Sequence, residues 1–280
     1  MAQVRIVDCQ LETAAQDFAL SLRETGFAVV KNHGIPFELV RSVYNEWLAF
    51  FKTEAKYQYL FDRDKQDGYF PPEVSETAKG HTEKDIKEYY HIYSWGRYPA
   101  GLSNQAHELR EKSTELAVML LNWLEAETPA EIREKLSESF ASMITASDNI
   151  LQRILHYPPM TGDEEPGAIR AAAHGDINLL TVLPSSNEPG LQVKPLGSDW
   201  IDVPCEPETI VINAGDMLEE ATAGYYPSTL HRVINPTGAG SANSRLTAPL
   251  FLHPRSDVVL SERHTAKSYL DERLKELGVK

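Results

Sequence analysis

The sequence of 280 residues predicts a mainly β fold with flanking α-helices, of the sandwich, barrel or jelly-roll kind. From about residue 148 onward, short β-rich runs alternate with turns made of Gly, Pro, Asn and Ser. Before that point, apolar residues recur mostly at helical spacing. No internal repeat or low-complexity linker separates the two parts, so we expect a single domain over residues 1–280.

Residues 1–147 are the expected helix-rich N-terminal region. "VRIVD" and "FAVVK" are expected strands, and the amphipathic helix "AAQDFALSLRETG" between them ends at Gly26. "NHGIP" is a turn signal, after which Pro36 begins a helix through "FELVRSVYNEWLAFF". From Asn104 to about Ser147 the spacing is again helical, as in "LREKSTELAVMLLNWLEAE".

Residues 148–254 are the expected β-rich core, and residues 255–280 are an expected helical tail. The candidate strands of the core are "NILQRILHYP", "LLTVL", "GLQVKP", "WIDVP", "TIVIN", "STLHRVINP" and "RLTAPLFLHP". "TAKSYLDERLKELG" is the expected closing helix. We interpret the boundary near residue 147 as a change of layer within one domain.

Composition narrows the class of function. Lys and Arg total 27 against 41 Asp and Glu, and the net charge of −14 argues against nucleic acid or an anionic membrane as the main partner. The N-terminal stretch lacks the apolar core of a secretory signal, and no stretch has the length of a membrane span. Only Cys9 and Cys205 could pair, so a reducing cytoplasm is the default expectation. The sequence does not indicate an oligomeric state.

A candidate metal site begins in "AAAHGDINLLTVLP", residues 171–184. In an extended strand alternate residues share a face, so His174, Asp176 and Asn178 are expected to point the same way. His231 in "PSTLHRVINP" is a candidate third ligand from a distant strand, although alone it would be interpreted as a core histidine. Two imidazoles and one carboxylate leave three metal positions open, which is typical of non-haem Fe(II) oxygenases.

A candidate carboxylate-binding pair lies in "NSRLTAPLF", where Arg245 and Thr247 alternate onto one face of a strand. A buried Arg is costly unless it is paired, and its planar fork binds a carboxylate through two parallel hydrogen bonds. The pair is suited to the distal carboxylate of 2-oxoglutarate. The alternative is a surface Arg near a strand end.

The order of motifs resembles that of the isopenicillin N synthase-like Fe(II)/2-oxoglutarate-dependent dioxygenases. The motifs are "NHGIP", "GYFPP", "HYPP", "HGDINLLTVLP", "GLQV", "WIDVP", "NAGDML", "STLHRVINP" and "RLTAPLFLHP". The resemblance covers nearly the whole chain and is strongest from Leu151 to Pro254. It implies a distorted jelly roll (double-stranded β-helix) core with helices packed around it.

The resemblance also implies a site and a reaction. The implied ligands are His174, Asp176 and His231 for Fe²⁺, and Arg245, Thr247 and Tyr157 for 2-oxoglutarate. The implied reaction uses O2 to oxidise a small-molecule substrate, most simply by hydroxylation, with release of succinate and CO2. The family usually has Ser where Thr247 stands. Many plant members have Asn where Leu155 stands, so one polar contact to 2-oxoglutarate is expected to be missing.

Several residues are candidates for substrate contact. If Tyr157 faces 2-oxoglutarate, Leu155 and Arg153 share that face, and Arg153 becomes a candidate anchor for a substrate carboxylate. A register shift that turns Arg153 to solvent is the alternative. Asn178 is a candidate for supporting the metal ligands or contacting substrate. Aromatic runs more often fill a core, but they could also wall a pocket, and the candidates of this kind are Tyr69, Phe70, Tyr89 and Tyr90.

Two other functions stay open on the sequence alone. A non-haem iron oxidase of the isopenicillin N synthase type takes all its electrons from its own substrate and needs no 2-oxoglutarate, and Arg-x-Ser/Thr occurs in such relatives too. A non-catalytic jelly-roll module that binds a metal or a metabolite is the other alternative. The presence of all three candidate ligands together with Arg245 argues against that module.

Overall fold

The computed structural model describes residues 3–74, 85–164 and 168–276. The strands are β1 (Arg5–Asp8), β2 (Phe27–Lys31), β3 (Gly68–Phe70), β4 (Glu88–Ile92), β5 (Leu151–Tyr157), β6 (Ala171–His174), β7 (Leu180–Pro184), β8 (Leu191–Val193), β9 (Ile201–Asp202), β10 (Ile210–Ala214), β11 (His231–Val233), β12 (Arg245–Thr247) and β13 (Leu250–Leu252). The α-helices are α1 (Ala14–Thr25), α2 (Phe37–Phe51), α3 (Gln105–Glu127), α4 (Ala130–Arg133), α5 (Phe140–Ile144), α6 (Asp216–Ala221) and α7 (Ala266–Glu276).

The strands form two sheets that enclose an apolar interior. The larger sheet has nine strands in the order β1-β2-β10-β7-β13-β5-β4-β3, with β12 also paired to β5. The smaller sheet has the order β6-β11-β8-β9. Residues from both sheets, among them Phe27, Leu155 and Val193, pack into one buried cluster between them. The other face of the larger sheet packs against α1, α2 and α3 in a second buried cluster. The expected fold class is therefore confirmed.

The turn from α1 into β2 shows how local sequence sets this arrangement. Gly26 ends the helix in the left-handed conformation, with φ of 71°, and its N–H donates to the carbonyl of Leu22. A Cβ at Gly26 would lie 2.3 Å from Oγ1 of Thr229, so the position excludes any side chain. The chain then enters β2, which pairs parallel with β1 and antiparallel with β10.

Strands from the helix-rich part of the chain complete the larger sheet. β2 pairs with β10, and β4 pairs with β3 and β5, so residues 1–147 supply both edges of the sheet, with the core strands between them. The run "RLTAPLFLHP" was expected as one strand, but Pro249 lacks an N–H for the ladder and separates β12 from β13.

Of the expected closing helix, α7 is present to Glu276, and residues 277–278 lie outside the described residues. Within the described ranges, no helix combines the length and apolar character needed to cross a bilayer.

Candidate functional site

The candidate metal ligands converge in the space between the two sheets. β6 and β11 pair antiparallel, with His174 directly opposite His231, and their ring centres are 4.4 Å apart. Nε2 of His231 lies 3.8 Å from Oδ1 of Asp176. Donor atoms of all three residues lie within 4.8 Å of one another, and no other His, Cys, Asp or Glu group of this kind occurs among the described residues.

Asp176 reaches this position from a loop and not from a strand. β6 ends at His174, so the expectation that His174, Asp176 and Asn178 alternate along one strand is wrong. The carbonyl of Asp176 accepts the N–H of Asp216 at 2.7 Å, and the carbonyl of Asn178 accepts the N–H of Met217 at 3.1 Å. The loop therefore bonds to the first turn of α6 and has no strand ladder that would impose a two-residue period.

The hydrogen bonds of the two imidazoles fix which nitrogen faces a metal. Nδ1 of His174 lies 2.7 Å from the carbonyl of Ala172, and Nδ1 of His231 lies 3.3 Å from that of Thr229. Because a carbonyl only accepts, each Nδ1 carries the proton and each Nε2 keeps its lone pair. Burial lowers the pKa of His231 to about 4, so its ring is neutral near pH 7.

The carboxylate of Asp176 is held by one of its two oxygens. Oδ2 accepts hydrogen bonds from Oγ1 of Thr181 at 2.6 Å and from Nδ2 of Asn213 at 2.8 Å. Thr181 in turn accepts from Nδ2 of Asn178 at 3.0 Å. Burial raises the pKa of Asp176, but the two imidazoles and these hydrogen bonds lower it by more, so the net pKa lies below its ordinary value. The group is ionised, with Oδ1 toward His231.

Substituting Thr181 with Val tests this support. The side chain keeps its shape but loses the hydroxyl that orients Asp176, and a lost contact of this kind lowers metal affinity about 10- to 100-fold. We expect that loss in an anaerobic Fe(II) titration against a competing chelator. Thr114→Val in α3 is the matched control, because among the described residues its hydroxyl bonds only to the carbonyl of Arg110, at 2.8 Å. Equal iron affinity in Thr181→Val and wild type would contradict the assignment.

A cleft of about 580 Å³, counting the space open to solvent, contains the three candidate ligands and the expected cosubstrate residues. β12 pairs with β5 so that Arg245 lies opposite Tyr157 and Thr247 opposite Leu155, and all four line the cleft. The candidate iron ligands and the residues expected to bind the distal carboxylate of 2-oxoglutarate therefore line the same cavity.

Arg245 is a buried cation suited to a carboxylate. Its Nε donates to the carbonyl of Glu188 at 3.1 Å, and its Cζ lies 5.3 Å from the centre of the Tyr157 ring. Its Nη1 is buried and has no hydrogen-bond partner among the described residues. Burial lowers the pKa of Arg245, the direction expected of a cation taken out of water. A dicarboxylate such as 2-oxoglutarate would supply the missing partner, so the residues fit this cosubstrate.

The period-two expectation along β5 agrees with the structure, since Arg153, Leu155 and Tyr157 all line the cleft. Nε of Arg153 donates to Nε2 of His91 at 2.8 Å. Its Cζ lies 4.6 Å from the ring centre of Tyr89 and 5.2 Å from that of Phe251. The side chain is therefore held between two rings.

The expectation that Tyr69 and Tyr90 form pocket walls is wrong. Both lie on the helix-facing side of the sheet, where Tyr69 donates to Glu88 and Tyr90 donates to the carbonyl of Arg97 at 2.9 Å. Successive residues of a strand point to opposite faces, so their neighbours point inward. Those neighbours, Phe70 and Tyr89, stack at 4.7 Å in the cluster between the sheets.

Asn178 also lies away from the cleft wall. Its side chain is fully buried and donates to the carbonyl of Leu180 as well as to Thr181. Of the two roles expected for it, the structure agrees with support of Asp176 and not with substrate contact, because the residue is absent from the described lining of the cleft.

Sequence reasoning missed several residues of the site. Lys87 lines the cleft, and its Nζ lies 2.8 Å from Oδ2 of Asp85. The signal was the alternation Lys87, Tyr89, His91 in "KEYYHIY", which is readable once that run is taken as a strand. Thr181 and Asn213 carried a weaker signal. Each is a polar residue inside an apolar run, which in a buried strand requires a polar partner.

Two histidines and one carboxylate between two β-sheets form the ligand set of a non-haem iron oxygenase. Residues 149–254 match the 2OG-Fe(II) oxygenase superfamily, and residues 5–112 match the family described as non-haem dioxygenase in morphine synthesis N-terminal. A protein from Shewanella oneidensis, described provisionally as an oxygenase, is 55% identical, with a TM-score of 0.90 over 99% of this chain and 100% of that one. This chain belongs to the 2OG-Fe(II) oxygenase superfamily.

Two more distant relatives agree with this. A full-length protein from Neurospora crassa, solved in complex with alpha-KG, has the same fold, with a TM-score of 0.81 and 23% identity over 96% of this chain and 95% of that one. A 1-aminocyclopropane-1-carboxylate oxidase from Dictyostelium mucoroides is 27% identical over 86% of this chain and 76% of its own length.

Family membership makes this protein an Fe(II)/2-oxoglutarate-dependent oxygenase. Its cofactors are Fe²⁺ and the cosubstrate 2-oxoglutarate, and O2 is the oxidant. Members of the family act on small molecules. The predictions of family, enzyme class and cofactors are confirmed.

Proposed function

We propose that the enzyme oxidises a C–H bond of a small molecule at a ferrous ion held by His174, Asp176 and His231. The observation that carries this proposal is the convergence of three donor atoms within 4.8 Å of one another, from the half-buried His174 and the buried Asp176 and His231. The other polar atoms of these side chains are already engaged by carbonyls, Thr181 and Asn213. The atoms that face one another are therefore those suited to a metal.

Arg245, Thr247 and Tyr157 bind and orient the cosubstrate. The guanidinium of Arg245 and the hydroxyl of Thr247 bind one carboxylate of 2-oxoglutarate, which directs the other end toward the three ligands in the same cleft. When bound, Fe(II) and 2-oxoglutarate reduce O2 so that one oxygen atom enters the substrate and the other enters succinate, with loss of CO2. Apolar side chains of the cleft, such as Phe27, Leu155 and Val233, keep water from the reacting groups.

A turnover assay tests this function. With Fe(II), 2-oxoglutarate and O2, the protein is expected to form succinate slowly without its own substrate and faster when a metabolite panel includes that substrate. Removing iron with a chelator abolishes both rates. Oxygen consumption with a substrate but without 2-oxoglutarate would instead show the isopenicillin N synthase type of oxidase.

We also propose that residues 1–280 fold as one domain and act in the cytoplasm, without a nucleic acid or membrane partner. The pairing of β2 with β10 and of β4 with β5 supports the single domain, because it joins the two parts of the chain in one sheet. The net charge of −14 disfavours polyanionic partners. Cys9 and Cys205 are both free thiols, as suits a reducing compartment.

A further inference from the structure

β12 carries two of the proposed cosubstrate residues but is a short strand with little support from the sheet. Arg245 and Thr247 are its first and last residues, and among the described strands it pairs only with β5. In an antiparallel pair, alternate residues turn their N–H and C=O groups toward the partner strand and away from it. The outward groups of Leu246, which lies between the two residues, therefore need partners from outside the sheet.

Side chains of the loop after β7 supply these partners. Oδ1 of Asn187 accepts the N–H of Leu246 at 2.9 Å, and Nδ2 of Asn187 donates to the carbonyl of Ser244 at 2.9 Å. Oγ of Ser186 donates to the carbonyl of Leu246 at 2.7 Å. One amide thus bonds the backbone on both sides of Arg245, as a neighbouring strand would, although Asn187 itself is exposed.

The same loop also bonds to the side chain of Arg245. The carbonyl of Glu188 accepts Nε of Arg245 at 3.1 Å, and Oε1 of Glu188 accepts Nδ2 of Asn243 at 2.9 Å. We call residues 186–188 the clasp. The clasp therefore holds both the backbone of β12 and the guanidinium that this strand carries.

The clasp is anchored on the side away from β12. The N–H of Ser185 donates to the carbonyl of Thr209 at 3.1 Å, and Sγ of Cys205 donates to the carbonyl of Ser186 at 3.3 Å. Neither the clasp nor these anchoring residues belong to the described lining of the cleft. The clasp therefore affects the cleft through β12.

We infer that Asn187, assisted by Ser186, is a positioning residue for the cosubstrate, because it holds β12 where Arg245 and Thr247 meet the distal carboxylate of 2-oxoglutarate. This inference rests on the proposed function, which assigns that carboxylate to these two residues. Hydrogen bonds from a planar guanidinium to a carboxylate depend on direction, so a small displacement of β12 weakens them. The iron ligands lie on β6, on β11 and in the loop after β6, and their positions do not depend on the clasp.

The variants Asn187→Ala and Ser186→Ala test the clasp, with Asn104→Ala as the control. Asn104 is an exposed residue before α3 whose side chain makes no capping hydrogen bond. Each protein is titrated anaerobically with Fe(II) and then with either 2-oxoglutarate or 2-oxopentanoate, and the visible band of the iron chelate gives the Kd. 2-Oxopentanoate has the same chelating end and chain length, but it carries a methyl group in place of the distal carboxylate.

We expect Asn187→Ala to raise the Kd of 2-oxoglutarate about 10-fold, because two hydrogen bonds that hold β12 are lost. Ser186→Ala loses one such bond to Leu246 and should raise this Kd by a smaller factor. The affinity for Fe(II) and the Kd of 2-oxopentanoate should stay close to those of wild type, since neither depends on Arg245. The band with 2-oxopentanoate also shows that each variant is folded, and Asn104→Ala should match wild type with both acids.

An unchanged Kd of 2-oxoglutarate in Asn187→Ala, or an equal rise in the Kd of both acids, would overturn the inference. Neither result bears on the proposed function, because both acids are first titrated into the wild-type protein. A wild-type protein that shows no band with 2-oxoglutarate, or that binds the two acids equally well, would instead count against the proposed function itself.

Discussion

An Asp176→Asn enzyme is expected to lose iron and, with it, succinate formation. The amide keeps the shape of the side chain and can still accept hydrogen bonds from Thr181 and Asn213, so the fold is retained. It removes the buried negative charge that pairs with the ferrous ion, which costs about 3–5 kcal/mol of the free energy of iron binding. Iron affinity should therefore fall about 10²- to 10⁴-fold.

Iron content after anaerobic loading and the rate of succinate formation measure this effect. Asp202→Asn, on the exposed end of β9, is the control and should retain both. If the Asp176→Asn protein bound iron as tightly as wild type and turned over 2-oxoglutarate, the ligand assignment would be wrong.

Replacing Arg245 with Met should separate cosubstrate binding from iron binding. The buried guanidinium has an unsatisfied Nη1, and losing two charge-assisted hydrogen bonds to a carboxylate costs about 3–4 kcal/mol, or about 10²- to 10³-fold in the Kd of 2-oxoglutarate. Iron affinity should stay close to that of wild type, because Arg245 does not contact the three ligands in the hydrogen bonds described.

The control for this substitution is Arg232→Met, which removes a guanidinium of β11 in the smaller sheet that stacks on Trp200 outside the described lining of the cleft. A Kd for 2-oxoglutarate that is unchanged in Arg245→Met, measured by the spectrum of the anaerobic complex, would exclude Arg245 from the cosubstrate site. Such a result would leave the oxidase alternative in place.

Local signals were sufficient for much of the fold. The run "FAVVK" is buried except at Lys31 and follows Gly26, whose left-handed conformation favours glycine, so both ends of β2 were readable. Buried apolar runs bounded by Gly, Pro or Asn similarly marked β7 and β10. The prediction that Arg245 and Thr247 share one face of a strand was correct, because side chains alternate between faces even in a strand of three residues.

The errors arose where long-range contacts set the backbone. Asp176 lies beside the two histidines because its loop is hydrogen-bonded to α6. The sequence "HGDIN" does not indicate that α6 is the partner of this loop. Tyr69 was interpreted as a pocket wall because an aromatic residue does not show which face of a strand it occupies. Thr181 and Asn213 support Asp176 only because β7 and β10 are neighbours, a register that one sequence does not reveal.

An anaerobic titration of the wild-type protein with Fe(II) and then 2-oxoglutarate determines whether iron and cosubstrate bind together in this cleft. We expect one ferrous ion and one 2-oxoglutarate to bind per chain, the complex to gain a weak visible charge-transfer band, and this band to be absent from Asp176→Asn. A wild-type protein that binds Fe(II) but shows no band with saturating 2-oxoglutarate, or an Asp176→Asn protein with an equal band, would contradict this expectation.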